Sequence, residues 1–226
     1  MEIRRAANLE GARGATGAAV VIDVLRAFTT AACAFAGGAR AILLVDSVDA
    51  AFALKRRFPD AFLMGEVGGF KVDGFDHGNS PSELPRGAVR DRRIIQCTGS
   101  GTRCAVAASG ADPLYLASLT VAGATARAVR AAPRVTLVAA MGDVEGDDAV
   151  ADYIEGLLRD APPPAAEILR RVRESKAGLM IASGTYAQYP QGDLEVCTRL
   201  DAFDFAIRAG REDGLLVARA VGANSA

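Results

Sequence analysis

The residues best suited to chemistry near the start of the chain follow a short apolar stretch. Val20–Ile22 has the pattern of a buried strand, Asp23 is the first polar residue after it, and Arg26 follows three residues later. A carboxylate at the end of a strand can bind a cation, and an arginine can bind an anion through two hydrogen bonds. A helix cap with a local ion pair is the alternative. Asp23 and Arg26 are therefore candidate site residues whose interpretation depends on the rest of the pattern.

A second charged residue stands among glycines. Glu66 follows Gly65 and precedes the pair Gly68-Gly69, after an apolar run typical of a strand. Glycines beside a charged side chain allow the backbone to approach a ligand closely, although a simple turn has the same composition. Glu66 is thus a candidate metal ligand.

The loop from Gly74 to Glu83 is rich in polar side chains. It contains Asp76, His77, Asn79 and Ser80, and loops with many such groups are where binding sites commonly lie. His77 is the single histidine of the chain, so it has no imidazole partners for a metal site. Asp76 and Asn79 are therefore stronger candidates for functional residues than His77.

A glycine- and hydroxyl-rich loop follows another apolar run. The segment 98–103 reads Thr-Gly-Ser-Gly-Thr-Arg and precedes an apolar helical pattern. Backbone N–H groups in such a loop can hold an oxyanion, although the segment matches neither a P-loop nor a dinucleotide fingerprint. We predict that Ser100, Gly101 and Thr102 bind phosphate, with a capped turn as the alternative.

Cys97 and Arg103 offer a different mechanism. Their spacing, Cys-x5-Arg, is that of cysteine-dependent phosphatases, in which a thiolate attacks phosphorus. The pattern is short and arises by chance, so a cysteine phosphatase is a secondary hypothesis.

Four acids fall within residues 143–148, namely Asp143, Glu145, Asp147 and Asp148. Such a cluster repels itself unless a helix N-terminus or a cation neutralises it. Because the available ligands are oxygens without a histidine cluster, Mg²⁺ is the expected ion.

Alternating strand and helix patterns must position these residues. The predicted strands are Ala18–Ile22, Ala41–Val45, Ala61–Met64, Arg93–Cys97, Leu114–Ala117 and Val135–Ala140, with weaker ones at Leu194–Cys197 and Leu215–Ala218. The predicted helices are Arg26–Ala36, Val48–Arg57, Gly101–Ala108, Val121–Ala131, Asp147–Arg159 and Ala165–Ser175. This alternation predicts an α/β layered fold with sites at the carboxyl ends of the strands. We expect one domain over residues 1–226, with a break into two lobes near 162–164 as the alternative.

Composition excludes several classes of protein. The chain has 226 residues, 26 of them basic and 27 acidic, which argues against a general nucleic-acid binder. No apolar run has the length of a membrane span, and the first residues lack an apolar signal core, so a cytoplasmic protein is expected. The single histidine excludes sites built from several imidazoles.

The order of these motifs resembles a known family. The segments that carry the likeness are Val21–Thr30 (VIDVLRAFTT), Gly65-Glu66, Gly74–Pro81 (GFDHGNSP), Gly101-Thr102 and the acids of 145–148. Together they resemble the ComB family, the 2-phosphosulfolactate phosphatases, over about residues 18–205. The resemblance implies a Mg²⁺-dependent acid phosphatase, a three-layer α/β/α fold with a mixed, largely parallel sheet, and a homo-oligomer, such as a dimer.

The sequence departs from the family pattern at two places. Val67 stands where an arginine commonly follows the glutamate, which weakens the case for a phosphate ester that also carries a sulfonate. Residues 97–102 replace a threonine followed by Asn-Gly-Thr, and a family threonine at position 97 makes a nucleophilic role for Cys97 unlikely.

With the resemblance, the candidate residues fall into roles. The expected metal ligands or water activators are Asp23, Glu66, Asp76, Asp147 and Asp148, and the catalytic candidates among the site residues are Asp23, Arg26 and Asp76. Phosphate would be held by Arg26, Asn79, Ser80, Ser100, Gly101 and Thr102. The expected reaction is hydrolysis of 2-phosphosulfolactate or a related small acidic phosphate monoester. The cysteine phosphatase and a non-catalytic protein that binds a phosphorylated or sulfonated metabolite are the alternatives.

Overall fold

The computed structural model describes residues 1–141 and 145–222, and the described residues form a ten-stranded sheet with nine helices. The strands are β1 Glu2–Ala7, β2 Ala18–Ile22, β3 Ala41–Val45, β4 Phe62–Val67, β5 Phe70–Lys71, β6 Arg93–Cys97, β7 Leu114–Ala117, β8 Arg134–Ala139, β9 Phe205–Glu212 and β10 Leu215–Gly222. The helices are α1 Asn8–Arg13, α2 Ala27–Ala36, α3 Val48–Arg57, α4 Gly101–Ala107, α5 Ala122–Val129, α6 Glu145–Leu158, α7 Ala165–Glu174, α8 Lys176–Ala182 and α9 Gly192–Cys197.

The sheet consists of two parallel groups joined by an antiparallel hairpin. Its order is β1-β8-β2-β7-β9-β10-β3-β6-β4-β5, in which β1, β8, β2 and β7 run parallel, as do β3, β6 and β4. The β9–β10 hairpin pairs antiparallel with β7 on one side and with β3 on the other. The two parallel groups therefore run in opposite senses along the pairing order.

The usual twist of a sheet turns the two parallel groups relative to each other. Adjacent strands are rotated by about 20–25° on average, so the five steps from β2 to β6 accumulate more than about 100°. The carboxyl ends of β2 and β6 then meet on one side: a Cβ atom built on Gly101, just after β6, would lie 2.7 Å from Asp23 Oδ2, just after β2.

Helices cover both faces of the sheet. One face packs on α1, α2 and α4 in a core that draws on both parallel groups, with Phe28 among its fully buried side chains. The opposite face packs on α5, α6 and α7 over the first group, and on α3 over the second. This is the expected three-layer α/β/α arrangement. Strands such as β2 are buried along their whole length, which explains their continuous apolar sequence.

Most predicted elements lie at or within a few residues of their expected bounds, but one has the wrong type. Leu194–Cys197 was expected as a strand and belongs to helix α9, where the Thr198 N–H donates to Leu194 O over 3.1 Å. Four residues with apolar side chains on either side of Glu195 do not distinguish a strand from a short helix.

Three strands, β1, β5 and β9, were not predicted, because β1 and the two-residue β5 lie at the edges of the sheet and β9 is polar on one side. β1 is an edge strand whose sequence includes Glu2 and Arg4, and β9 alternates buried residues such as Ile207 with exposed arginines. Helices α1 and α8 were also not predicted. Residues 162–164 connect α6 to α7, whose side chains Leu158 and Ile168 lie in the same apolar cluster.

Among the described residues, no helix combines the length and the apolar character that crossing a lipid bilayer requires.

Candidate active site

A cleft of about 310 Å³ lies where the carboxyl ends of β2, β4 and β6 meet. It is lined by Asp23, Leu25, Arg26, Glu66, Gly68, Gly69, Asn79, Gly99, Ser100, Met141 and Tyr189. Five of the predicted site residues therefore share one cavity: Asp23, Arg26, Glu66, Asn79 and Ser100.

A larger hollow of about 610 Å³ lies at the amino ends of β3, β4 and β6, among Arg40, Arg57, Arg92 and Arg93, and contains none of the predicted site residues. The convergence of site residues, rather than cavity size, identifies the smaller cleft as the candidate site.

Asp23 forms the floor of this cleft. It is only 3% exposed, its Oδ1 accepts a hydrogen bond of 2.9 Å from the Ala27 N–H at the start of α2, and the Gly101 N–H also donates to the carboxylate. Burial, reinforced by the negative charge of Glu66, raises the pKa of Asp23 to about 6. A carboxyl group with this pKa can give up or accept a proton close to neutral pH.

Glu66 joins two loops at the mouth of the cleft. Its Oε1 accepts from the Gly99 N–H at 2.7 Å, and its Oε2 accepts from the Gly69 N–H at 2.6 Å. The Gly99 amide, and the Gly101 amide bonded to Asp23, belong to the loop expected to hold phosphate. Both amides bind carboxylates instead, so this loop positions the acids of the site, and Ser100 is its one predicted phosphate ligand that lines the cleft.

Arg26 is the basic residue among those that line the cleft. It is 4% exposed, and its Nη1 donates to Asp193 Oδ2 and to Gln188 O, both at 2.8 Å. The guanidinium carbon lies 4.7 Å from the ring centre of Tyr189. Among the described residues, no acceptor bonds Nε or Nη2 of Arg26, so these donors are available to an oxyanion.

Asn79 supplies an unpartnered oxygen. The residue is 7% exposed, its backbone oxygen accepts from Thr30 Oγ1, and its side-chain Oδ1 is buried without a hydrogen-bond partner among the described residues. Because a buried acceptor without a donor is costly, this atom fits a ligand that contributes a proton or a positive charge.

Asp147 lies behind the cleft and does not line it. It is 3% exposed, and its two oxygens accept from the Val24 N–H at 2.9 Å and the Met141 N–H at 3.1 Å. Burial and the nearby charge of Asp23 hold its pKa well above the usual range. Asp147 therefore holds together the segment that follows β2, next to Asp23, and the segment that follows β8. Asp143, which belongs to the same acidic run, lies outside the described residues, as does the side chain of Glu145.

Five more predicted residues do not line the cleft. Asp76 is exposed and accepts from the Leu63 N–H at 2.8 Å, and Asp148 pairs with Arg5 on the surface. Thr102 is buried and exchanges hydrogen bonds with Thr98, which closes the first turn of α4. Gly101 contacts Asp23, and Ser80 donates to Asp193 rather than lining the cleft. Asp76 and Asp148 therefore do not line the cleft, and their partners are a backbone amide and an arginine.

The cysteine hypothesis receives no support from this geometry. Cys97 is buried, and burial, with the charge of Glu66 adding to it, raises the pKa of its thiol to about 11, so a thiolate is disfavoured. Arg103 lines a different hollow, with Arg13 and Ser47. The two residues of the Cys-x5-Arg spacing thus do not form a common anion cradle.

His77 holds its own loop in place. Its ring Nε2 lies 2.8 Å from Ser80 O, so this nitrogen carries the donated proton, and the ring stacks on Phe62. Its backbone N–H donates to Leu63 O and its carbonyl accepts from the Gly65 N–H. These contacts attach the polar loop to β4.

Sequence reasoning missed two residues of the site. Asp193 lies next to the segment that was expected to be a strand, and Tyr189 precedes it in a loop with no motif. The sequence 188–193, Gln-Tyr-Pro-Gln-Gly-Asp, contains a proline shortly before an acid, which is a helix-start signal. That signal predicts the helix but not the contact with Arg26.

The oxygen atoms of the cleft fit a hard cation. Asp23 and Glu66 contribute carboxylates, Asn79 contributes the unpartnered Oδ1, and a cation would offset the burial and the repulsion from Glu66 that together raise the pKa of Asp23. Within residues 1–141 and 145–222, no three His, Cys, Asp or Glu side chains are grouped as a metal site. A cation there would need water or substrate oxygens to complete its coordination, as Mg²⁺ commonly does.

Comparison with known proteins places the chain in a family. The sequence model of the 2-phosphosulpholactate phosphatase family matches residues 5–210. A probable 2-phosphosulfolactate phosphatase of Bacillus subtilis is 34% identical over 200 residues, which cover 86% of this chain and 87% of that protein. Proteins with the same description from Carboxydothermus hydrogenoformans and Deinococcus radiodurans are 34% identical over 221 residues (88% of this chain, 89% of the relative) and 40% identical over 149 residues (62% of each).

The family match begins within β1, ends within β9 and includes every residue that lines the cleft. The chain therefore belongs to the 2-phosphosulfolactate phosphatase family, a family of phosphoric monoester hydrolases.

Proposed function

We propose that this protein hydrolyses 2-phosphosulfolactate, or a related small acidic phosphate monoester, to phosphate and the 2-hydroxy acid, with Mg²⁺ as cofactor. The observation that supports this most is that the buried Arg26 guanidinium lines the same cleft as the carboxylates of Asp23 and Glu66. An anion-binding group beside two acids is what a metal-assisted phosphatase requires.

Arg26 binds the phosphate group in this proposal. Its Nη1 is fixed by Asp193 and Gln188, while Nε and Nη2 form the donor pair that matches two phosphate oxygens. Burial of the guanidinium strengthens this interaction relative to a solvent-exposed arginine.

Asp23 moves the proton. With a pKa raised to about 6, its carboxyl group can accept a proton from the attacking water or return one to the leaving oxygen of the 2-hydroxy acid. Glu66 holds the Gly69 and Gly99 loops around the ester, and Asn79 Oδ1 accepts a hydrogen bond from water or coordinates the cation.

Bound Mg²⁺, held by Glu66 and Asn79 together with water or substrate oxygens, would neutralise ester oxygens and lower the pKa of an attacking water, which leaves the Asp23 carboxyl group free to exchange the proton. The phosphate binding and the proton transfer described above are carried out by residues of the chain itself.

The proposal also concerns which 2-hydroxy acid carries the phosphate group in the substrate. Val67, adjacent to Glu66, is 56% exposed and contributes no charge. The proposal therefore includes related monoesters that lack the sulfonate, and the relatives' shared description favours 2-phosphosulfolactate as the first substrate to test.

The test measures phosphate release from 2-phosphosulfolactate and 2-phospholactate with Mg²⁺ or with chelator. Turnover that requires the metal and falls at least about 100-fold in Arg26→Gln and Asp23→Asn supports the proposal. Arg170→Gln, which removes a surface ion pair with Glu174, is the matched control and keeps full activity. Turnover that persists in chelator rules out the metal role, and tight ligand binding without phosphate release favours the non-catalytic alternative.

The homo-oligomer implied by the resemblance is also a proposal. Large apolar side chains such as Phe70 and Leu179 are 60% and 58% exposed, which is consistent with a contact between copies. Sedimentation equilibrium at micromolar concentration distinguishes a dimer from a monomer.

A further inference from the structure

We propose that Asp193 is the residue that positions Arg26 for phosphate binding, so that the strength of oxyanion binding depends on a carboxylate that does not itself touch the substrate. This inference rests on the proposed function, in which Arg26 is the phosphate ligand.

Asp193 is held from three directions. Its side chain is fully buried, its Oδ2 accepts from Arg26 Nη1 at 2.8 Å, and its Oδ1 accepts from Ser80 Oγ and Ser82 Oγ, each at 2.6 Å. The Ser82 N–H adds a fourth hydrogen bond of 3.0 Å. A carboxylate with this many donors has little freedom to rotate.

The same arrangement limits the motion of Arg26. One nitrogen, Nη1, is shared between Asp193 and the Gln188 carbonyl, and the guanidinium lies over the ring of Tyr189. A planar guanidinium that is fixed at one nitrogen and at one face has its remaining N–H groups in a fixed direction. The entropy that a free arginine would lose on binding phosphate has then already been lost in the folded protein.

Stability alone does not explain this cluster. A buried ion pair commonly contributes little net stability, because desolvation offsets much of the attraction. Asp193 also connects three segments from different parts of the chain, namely the start of α2, the Ser80–Ser82 loop and α9. Alignment of Arg26 with the cleft accounts both for the buried ion pair and for these connections.

The experiment compares inorganic phosphate binding by calorimetry, in the presence of Mg²⁺, with KM and kcat for the best substrate. Asp193→Asn removes the charge at constant size, and Asp193→Glu keeps the charge but moves it. Ser80→Ala and Ser82→Ala each delete one hydrogen bond to Oδ1. Asp201→Asn is the control, because Asp201 also accepts a backbone N–H, from Gly123, and a hydroxyl, from Tyr153, at a distance from the cleft.

Asp193→Asn and Asp193→Glu are expected to weaken phosphate binding and raise KM by about 10- to 100-fold, with a smaller effect on kcat. Each serine variant is expected to weaken binding by a few-fold, and Asp201→Asn to lower the melting temperature without changing KM. If Asp193→Glu folds and has an unchanged KM and phosphate affinity, a negative charge supports phosphate binding wherever the carboxylate lies. That result overturns the proposal that Asp193 positions Arg26.

Misfolding of Asp193→Asn is addressed by the double variant Arg26→Gln, Asp193→Asn, in which both charges are removed. Recovery of the melting temperature without recovery of phosphate binding is expected. The two proposals fail differently. If Arg26→Gln binds phosphate normally, the proposed function is wrong. If Arg26→Gln binds phosphate weakly while the two folded serine variants and Asp193→Glu bind it normally, only the role of Asp193 is wrong.

Discussion

Gly101 and Asp23 approach each other so closely that no side chain fits between them. A Cβ atom at position 101 would lie 2.7 Å from Asp23 Oδ2 and 2.9 Å from Ala27 Cβ. The two residues come from different parallel groups of the sheet, so this contact is where the halves of the cleft meet.

The first prediction uses this contact. Gly101→Ala is expected to displace the Asp23 carboxylate, lowering kcat at least about tenfold and destabilising the fold by about 1–3 kcal/mol. Gly110→Ala is the matched control, since a Cβ atom there meets nothing within 4 Å. Equal kinetics in the two variants would contradict the close packing at Gly101.

The second prediction concerns pH in chelator. The pKa of Asp23 is raised from 3.8 to about 6 in the folded protein, so the folded chain binds this proton more tightly than the unfolded chain does. The contribution to the free energy of unfolding is therefore fully present below about pH 4 and is lost as pH rises through about 6. Asp147, whose pKa is also raised, adds to the same trend.

Asp23→Asn removes the contribution of this titration. Urea unfolding from pH 4 to pH 8 is expected to show a shallower loss of stability in Asp23→Asn than in the natural protein, and greater stability above pH 6. Asp73→Asn, at an exposed position, is the control. Parallel stability profiles for all three proteins would mean that Asp23 does not hold its proton as described.

A third prediction addresses Cys97. Because burial raises the pKa of its thiol to about 11 and Arg103 lines another hollow, Cys97→Ser is expected to retain the KM and pH profile of the natural protein. A loss of more than about 100-fold in kcat with an unchanged melting temperature would restore the cysteine mechanism.

A fourth prediction tests Glu66 through metal binding. Glu66→Gln keeps one acceptor oxygen but replaces the other with an N–H₂ group, which faces the Gly69 or Gly99 amide with a donor. The Mg²⁺ concentration for half-maximal activity is expected to rise by about tenfold or more. Glu10→Gln is the control, and an unchanged Mg²⁺ requirement would remove Glu66 from the metal site.

A fifth prediction tests substrate choice at the rim of the cleft. Val67→Arg places a cation beside Glu66, where the neutral Val67 side chain is exposed. A few-fold rise in kcat/KM is expected for 2-phosphosulfolactate relative to 2-phospholactate, decreasing with salt because the charge is at the surface. Val67→Gln separates charge from size, and equal ratios for both variants would show that position 67 does not contact the acid part of the substrate.

The sequence alone was sufficient to predict the layers of the fold and about half of the residues of the site. Strands such as Ala18–Ile22 and Ala41–Val45 are apolar throughout because both faces are covered, and this pattern is readable without a structure. Asp23, Arg26, Glu66 and Asn79 were identifiable because each follows such a strand or lies in a polar loop. The family resemblance is confirmed by the match over residues 5–210.

The sequence was not sufficient for relationships between distant segments. Asp193 lies 167 residues from Arg26, and no local pattern encodes their ion pair. Asp76 has the residue type of a ligand, but its hydrogen bond to the Leu63 N–H depends on how its loop packs along β4. The close approach of Gly101 to Asp23 is likewise a property of the assembled sheet.

The position of the β9–β10 hairpin has a consequence for how the protein is made. These strands are the last of the described chain, yet they lie in the middle of the sheet, between β7 and β3. During synthesis, the parallel groups that carry Asp23 and Glu66 emerge first and are not joined by strand pairing until the hairpin inserts between them. Such non-local pairing is slow and leaves strand edges exposed until it is complete. We therefore expect a chain that stops before Phe205 to contain both acids of the cleft without bringing them together.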